Sequence, residues 1–455
     1  MSSIGSMVLL GASGDLAGRL LLPALGELLE EESQRRDLVL LGAGSEDWDP
    51  ATWQERVRTS FATTGVSEAT TESVLGRSRY TRADVTNADD LRRLIESAPA
   101  APALYFALPP AVTVIACTEL KKVNLPTGTT LVLEKPFGTN AESAASLNGL
   151  LAELVPDEQV FRVDHFLGRS SVLNLLGVRF ANRLFEPLWS NEHIARVDIT
   201  YDEVLALENR ARYYDHAGAL TDMVQSHLLQ ILALIAMDPP ANVNAIDLRY
   251  AKATALRACR VWDDDPVAAG RRARYTSGVA DGQQVPDYAD EPGVDPARNT
   301  ETLAELTVQI DNWRWAGVPF RLRSGKALRN LRKEVLITFK PLLHLPGGLR
   351  GIDLPDQLRL TLSPDRMAVE MNVNSPNDPF ALERVALTHD LTAGRLPPYG
   401  EVMAGVLDAD PLLSVRGDTA VECWRIVDPV LQAWREQRTP LDTYPAGSEG
   451  PASWN

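Results

Sequence analysis

The chain is 455 residues long, 45% hydrophobic and 23% charged, the balance of an ordinary globular protein with apolar mass for more than one core. Its 61 acidic against 45 basic residues leave a net charge of −16. This disfavours nucleic acid and anionic membrane as partners, and local cations must hold any anionic ligand. Three cysteines without a CxxC spacing, Cys117, Cys259 and Cys423, exclude a disulfide framework and a thiolate zinc site and fit a reducing compartment.

The opening MSSIGSMVLLGASGD lacks a basic n-region, and its apolar stretch is too short for a signal peptide. The longest apolar run, Leu228–Met237, contains Gln230 and falls well short of the ~20 residues of a membrane span. A cytoplasmic location is expected. Up to about residue 160, short apolar runs alternate with helical periodicity. Met7–Leu10, Leu38–Leu41, Ala103–Leu108 and Thr130–Leu133 read as buried strands, and Leu20–Glu31 reads as a helix between two of them.

The segment GASGDLA, from Gly11 to Ala17, follows the first of these strands and opens the first helix. Its small residues let backbone N–H groups and a helix amino terminus approach a pyrophosphate. The pattern predicts a Rossmann-like, doubly wound parallel sheet and a dinucleotide-binding domain over 1–165. At the end of the second strand stand Ser45, Glu46 and Asp47, with no arginine close in sequence. A 2′-phosphate calls for a cation there, so NAD(P) is the expected coenzyme, leaning to NAD. Glu46 and Asp47 read equally well as caps of the following segment.

Beyond about residue 190 the period becomes two. Leu306, Val308 and Ile310, then Val335, Ile337 and Phe339, then Leu358, Leu360 and Leu362 alternate with polar residues. Such strands carry one apolar face, so 166–455 is expected to form a larger domain. Its sheet should be mainly antiparallel and covered by helices such as Leu220–Met237 and Thr419–Arg435. Asp263–Asn299, rich in Asp, Gly, Pro and Arg, predicts a long functional or mobile loop.

Three short segments carry chemistry: EKPFG (Glu134–Gly138), RVDHFLG (Arg162–Gly168) and GALTDMVQSH (Gly218–His227). Alone, each has a plain structural reading. His227 lies in an apolar helical stripe with Leu220, Met223, Val224, Leu228 and Ile231, and Asp164–His165 reads as a strand-end polar pair. A lone Glu203 or Lys326 would ordinarily be surface. The six histidines show no metal-ligand spacing, so no metal is expected. Together, in this order, with GASGDLA, DNWRWAGVPF (Asp311–Phe320), SGK (Ser324–Lys326) and the tail YPAGSEGP (Tyr444–Pro451), they resemble the glucose-6-phosphate dehydrogenase family over nearly the whole chain.

That resemblance implies a hydride transfer from C1 of a pyranose to a nicotinamide coenzyme. It implies His227 as base, Asp164 as its orienter and Lys135 positioning sugar and coenzyme. The peptide before Pro136 should be cis. His165 and Arg169 would serve the substrate's phosphate end, while Glu203, Asp222 and Lys326 would face the sugar. Gly11, Ser13, Gly14, Asp15, Leu16 and Ser45, with Lys135, would contact the coenzyme. A base with a pKa near ~6.5 suits this proton transfer, and a carboxylate behind it fixes the tautomer.

The departures from the family pattern cluster on anion binding. Leu20 replaces a usual lysine, Phe166 a tyrosine and Arg169 a lysine. Leu331 stands where a cation is common, beside Arg332, and Ser45 takes the place of a 2′-phosphate arginine. The first expectation is therefore oxidation of glucose 6-phosphate to 6-phosphogluconolactone. The alternatives are the same chemistry on a related unphosphorylated, amino or carbocyclic sugar, and a non-catalytic regulatory paralogue. A homodimer through the antiparallel sheet is implied by the resemblance.

Overall fold

In the computed structural model, which describes residues 4–207, 211–351, 354–392 and 394–454, the early apolar runs become the strands of a parallel sheet. These are β1 (Ser6–Leu10), β2 (Val39–Gly44), β3 (Ser78–Arg82), β4 (Ala103–Phe106), β5 (Thr130–Glu134) and β6 (Val160–Val163). They lie in the order β6-β5-β4-β1-β2-β3, with a short antiparallel strand, Ser414–Val415, on the β6 edge. Strands β1, β4 and β6 are buried along their whole length, because helices cover both faces, and this is why they read as unbroken apolar runs. The strand order reverses between β1 and β4, which in such sheets opens a ligand crevice at the strands' carboxyl ends.

Leu25, Leu28, Trp53 and Phe61 fill the core on one side of this sheet. Val402, Met403 and Val406 of the helix Pro398–Leu407 join the same core, although they come from far along the chain. Accordingly, one compact unit gathers Met1–Ser170, Pro240–Ala253 and Gly394–Val421, and the other gathers Ser171–Pro239, Thr254–Ala393 and Glu422–Asn455.

The second unit is built on an 11-stranded sheet. Its centre is β7 (Ile194–Asp202), which pairs parallel to Phe320–Gly325 and antiparallel to Arg332–Phe339. From Arg332–Phe339 the sheet continues through Gln357–Leu362, Asp365–Asn374 and Ala381–Asp390. From Phe320–Gly325 it runs to Leu303–Ile310, Gly270–Thr276 and Leu441–Pro445. Most of its pairings are antiparallel, with parallel ones at Phe320–Gly325 on β7, at Leu441–Pro445 on Gly270–Thr276 and at Arg350–Gly351 on Ala381–Asp390. Of the alternating residues, Leu306, Val308, Ile310, Val335, Ile337, Leu358, Leu360 and Leu362 are buried, and Phe339, at the end of its strand, is half-buried. The stretch Tyr214–Ala236 is long and apolar enough to cross a membrane by length and composition, but 83% of that window is buried, as in the core helix of a soluble protein.

The predicted loop Asp263–Asn299 is corrected by the structure. It holds the strand Gly270–Thr276 of the large sheet and a two-stranded hairpin, Gly278–Ala280 with Gln283–Val285. Its arginines hid the strand from a hydropathy reading. Arg272 is nevertheless buried: its guanidinium donates to the Thr439 carbonyl at 2.9 Å and lies over the Trp434 ring.

Candidate active site

In the first unit the turn after β1 is shaped by glycine. Gly11 has φ +85°, and a Cβ there would lie 2.3 Å from the Ala107 carbonyl oxygen, so no other residue fits. The turn closes with Gly14 N–H on the Gly11 carbonyl at 2.9 Å, and the helix starts at Asp15. Leu16 continues it in helical conformation, and Asp15 pairs with Arg19 on an exposed face. Arg56, which sequence reading missed, reaches under the turn and donates to the Gly14 carbonyl at 2.7 Å. It passes over Gly18, where a Cβ would sit 2.2 Å from the guanidinium carbon and displace it. A small-residue cradle at a helix amino terminus fits a dinucleotide pyrophosphate.

The end of β2 carries Ser45 and Glu46 to this turn. Ser13 Oγ donates to Glu46 Oε2 at 2.5 Å, and this bond holds the Glu46 carboxyl below its ordinary range, so it is ionised near neutral pH. Tyr80 of β3 donates to the Glu46 carbonyl at 3.0 Å. Asp47 faces Arg82 at 3.7 Å, an exposed cation from the end of β3 that the search for a nearby arginine in sequence did not find.

Glu134, Lys135 and Pro136 follow at the end of β5, and the Lys135–Pro136 peptide is cis, as expected. A cavity of about 600 Å³ lies beside them, lined among others by Pro110, Thr113, Glu134, Pro136, Asn140 and Ser143. Burial raises the Glu134 carboxyl to about 7, against the lowering pull of a 2.5 Å hydrogen bond from the Tyr105 hydroxyl and the charge of Lys135. Asp164 ends β6, is 1% exposed and accepts the Phe166 N–H at 3.0 Å, capping the single turn His165–Gly168. The His165 imidazole stacks on the Tyr399 ring, with centroids 5.1 Å apart and planes 15° apart. Arg169 lies over the Phe166 ring at 4.9 Å, so the arginine and phenylalanine that depart from the family pattern pack on each other.

In the second unit, His227 is 2% exposed and sits with Asp222 in the helical stretch Leu220–Leu228. That stretch has π-helical pitch, which brings residues five apart nearer to one face than an α-helix does. Its amino terminus is fixed by Glu301. The Leu220 N–H donates to Glu301 Oε1 at 3.0 Å, and the Ala219 N–H donates to the Glu301 backbone carbonyl at 3.3 Å. Gly218, at φ +68°, packs so tightly that a Cβ would lie 2.4 Å from the same carboxylate. Burial raises Glu301 to about 7.

Glu203 and Lys326 follow directly on β7 and Phe320–Gly325, and the pairing of Asp202 with Gly325 sets them side by side. Lys326 Nζ donates to Glu203 Oε2 at 2.7 Å and lies 5.3 Å from the centre of the Tyr214 ring. Lys333 adds a second cation 3.8 Å from Glu203 and over the Tyr201 ring at 4.3 Å. Sequence reading had passed over Lys333 for Leu331, which is exposed, and for Arg332, whose guanidinium faces Asp202 at 3.5 Å.

The structure thus brings Gly11, Ser13, Gly14, Asp15, Leu16 and Ser45 together around one turn. Within the same unit it pairs His165 with Tyr399. In the second unit it pairs Glu203 with Lys326 and sets Asp222 and His227 on one helix. Lys135, Asp164, His165 and Arg169 belong to the first unit, and His227, Asp222, Glu203 and Lys326 to the second. Among the described residues, no group of three or more His, Cys, Asp or Glu could hold a metal ion.

Comparison with known proteins meets this geometry. The family described as "Glucose-6-phosphate dehydrogenase, NAD binding domain" matches residues 8–174, and "Glucose-6-phosphate dehydrogenase, C-terminal domain" matches residues 176–455. The chain is 36% identical to the glucose-6-phosphate 1-dehydrogenase of Gluconobacter oxydans, covering 98% of this chain and 94% of the relative. A crystal structure of glucose-6-phosphate 1-dehydrogenase from Mycobacterium avium is similar with a TM-score of 0.87 at 33% identity, covering 100% of this chain and 96% of that one. A glucose-6-phosphate dehydrogenase solved in complex with its substrate glucose 6-phosphate gives 0.88 at 25% identity, with the same coverage of both chains.

Proposed function

We propose that this chain, which belongs to the glucose-6-phosphate dehydrogenase family, oxidises C1 of glucose 6-phosphate to 6-phosphogluconolactone with His227 as the base. The observation that carries the proposal is the survival of the family's reaction segments, with Lys135 before the cis peptide of the EKP turn, Asp164 at a strand end and His227 on a braced helix. Relatives that match over 98% of the chain act on glucose 6-phosphate, by their names.

A bound nicotinamide coenzyme supplies the hydride acceptor. The chain's own residues do the rest. His227 takes the proton of the anomeric hydroxyl as the hydride leaves C1, and Asp164 fixes the imidazole's tautomer and stabilises the imidazolium. Asp222 and Glu203 accept hydrogen bonds from sugar hydroxyls, Lys326 stands at the sugar, and Lys135 positions sugar and coenzyme. His165 binds the phosphate, with Arg169 as the nearest replacement for the family's lysine. Proton transfer by a positioned side chain contributes ~10²–10⁴-fold.

The coenzyme is NAD in preference to NADP. The support is Glu46, an ionised carboxylate hydrogen-bonded to the coenzyme turn, which would repel a 2′-phosphate and accept from a free 2′-hydroxyl. The chain forms a homodimer through the large sheet. The support is the family resemblance, together with the strand Ala381–Asp390, which leaves Leu387 62% and the nearby Phe380 59% exposed. Sedimentation of a monomer at micromolar concentration would count against the dimer.

Initial rates with glucose 6-phosphate and glucose against NAD and NADP test the function. The expected result is the highest kcat/KM for glucose 6-phosphate with NAD. A higher kcat/KM for another sugar overturns the substrate, a preference for NADP overturns the coenzyme, and inertness towards every pairing overturns catalysis.

A further inference from the structure

The turn that carries His165 is held by a segment that arrives from more than two hundred residues away. Gly168 packs onto Pro398 so closely that a Cβ would lie 2.3 Å from the Pro398 carbonyl oxygen. The next residue, Tyr399, presents its ring face to the His165 imidazole at a centroid distance of 5.1 Å, while the edge of Phe166 approaches from elsewhere at 5.1 Å and 64°. The Tyr399 hydroxyl donates to Glu134 Oε2 at 3.4 Å, and the Tyr105 hydroxyl donates to the other oxygen, Glu134 Oε1, at 2.5 Å. Glu134 is the residue before Lys135. A continuous set of contacts therefore runs from the backbone of Lys135, through the Glu134 carboxyl and the Tyr399 ring, to the plane of the His165 imidazole.

A stack fixes an imidazole's plane, and the hydrogen-bonding directions of both ring nitrogens lie in that plane. Tethering the tyrosine hydroxyl removes the remaining freedom of the platform. We infer that Tyr399, anchored on Glu134, is a positioning residue that aims His165 at the substrate's phosphate. This rests on the reading that His165 binds that phosphate. In this chain, whose anion-binding set is thinned, the stack holds one remaining donor in a fixed direction before the anion arrives.

The test separates the stack from the tether. Tyr399→Leu removes both, Tyr399→Phe keeps the stack, and Tyr399→Trp restores an aromatic platform. Tyr399→Leu should raise the KM for glucose 6-phosphate about tenfold or more, the loss expected when a charge-assisted hydrogen bond is misaimed. Its kcat, and its kcat/KM for unphosphorylated glucose, should stay near those of the unaltered protein. Tyr399→Phe and Tyr399→Trp should recover most of the KM. On a His165→Asn background, Tyr399→Leu should add nothing further.

Equal losses for glucose and glucose 6-phosphate, or no change in either, overturn the positioning role while leaving the dehydrogenase reading intact. If the unaltered protein oxidises no glucose 6-phosphate, the functional reading fails by itself. The inference is then decided by following the His165 ring resonances while inorganic phosphate is added. The midpoint should move about tenfold higher in Tyr399→Leu than in Tyr399→Phe, and coincident midpoints overturn it.

Discussion

Glu134 in the first unit and Glu301 in the second are both carboxyl groups that burial pushes up to about 7, yet they brace different things. Glu301 holds backbone. It accepts the first free N–H of the helix that carries Asp222 and His227, and a glycine in the left-handed region is pressed against it. Glu134 holds side chains, two phenols that reach it from β4 and from the helix Pro398–Leu407. A brace on backbone is rigid and tied to a residue type that leaves a mark in the sequence. A brace on side chains can be tuned without moving a strand, and the tyrosines that reach it leave no local mark.

The largest effect should come from breaking the backbone brace. Gly218→Ala forces a side chain into a left-handed conformation, costing ~1–3 kcal/mol, and drives its Cβ onto the Glu301 carboxylate. Thermal unfolding should shift downward and activity should fall with it. A variant as stable and active as the unaltered protein would show that the Gly218–Glu301 packing is not structural.

The next effect is in pH. The folded pKa of Glu301 is raised above its unfolded value, so between 4.5 and about 7 the native state binds more protons than the unfolded chain. Its contribution is fully present below about pH 4.5 and is lost as pH rises through about 7, amounting to about 3 kcal/mol. Glu301→Gln still accepts the Leu220 N–H but does not titrate. Relative to the unaltered protein it should therefore gain about that amount between mildly acidic and mildly alkaline urea denaturation. Glu134→Gln should show the same sign and a similar size, because burial raises both carboxyls to about 7. Parallel stability curves for Glu301→Gln and the unaltered protein would contradict the assignment.

The smallest effect belongs to a carboxyl of the opposite kind. Glu46 is exposed and held in its ionised form by Ser13. Glu46→Ala should lower the preference for NAD over NADP by about tenfold, read from the two kcat/KM values. An unchanged ratio would place coenzyme choice elsewhere, with Arg82 the first residue to alter.

The contrast between the two braces also explains what was legible in the sequence. Strands β1, β4 and β5 were readable because burial on both faces writes a continuous apolar run, and Leu303–Ile310 because burial on one face writes alternation. Gly270–Thr276 escaped because its arginines snorkel or stack on tryptophan, so a strand in the sheet reads as polar. At the site, GASGDLA, EKP and the His227 segment were legible because close backbone approach or a fixed chemistry demands those residues in order. Arg56, Glu301, Lys333 and Tyr399 were not, since each acts on a partner brought near only by the fold, and an ordinary arginine, glutamate, lysine or tyrosine carries no sign of it. The cation beside Asp47 shows the same limit, being adjacent in the sheet and distant in the chain.

The central claim, that His227 removes the anomeric proton of glucose 6-phosphate, is tested most directly by comparing single-turnover formation of reduced coenzyme in the unaltered protein and in His227→Asn. The account predicts a loss of ~10²–10⁴-fold in the rate of the chemical step, with thermal stability and coenzyme affinity unchanged. Undiminished turnover by His227→Asn would contradict it.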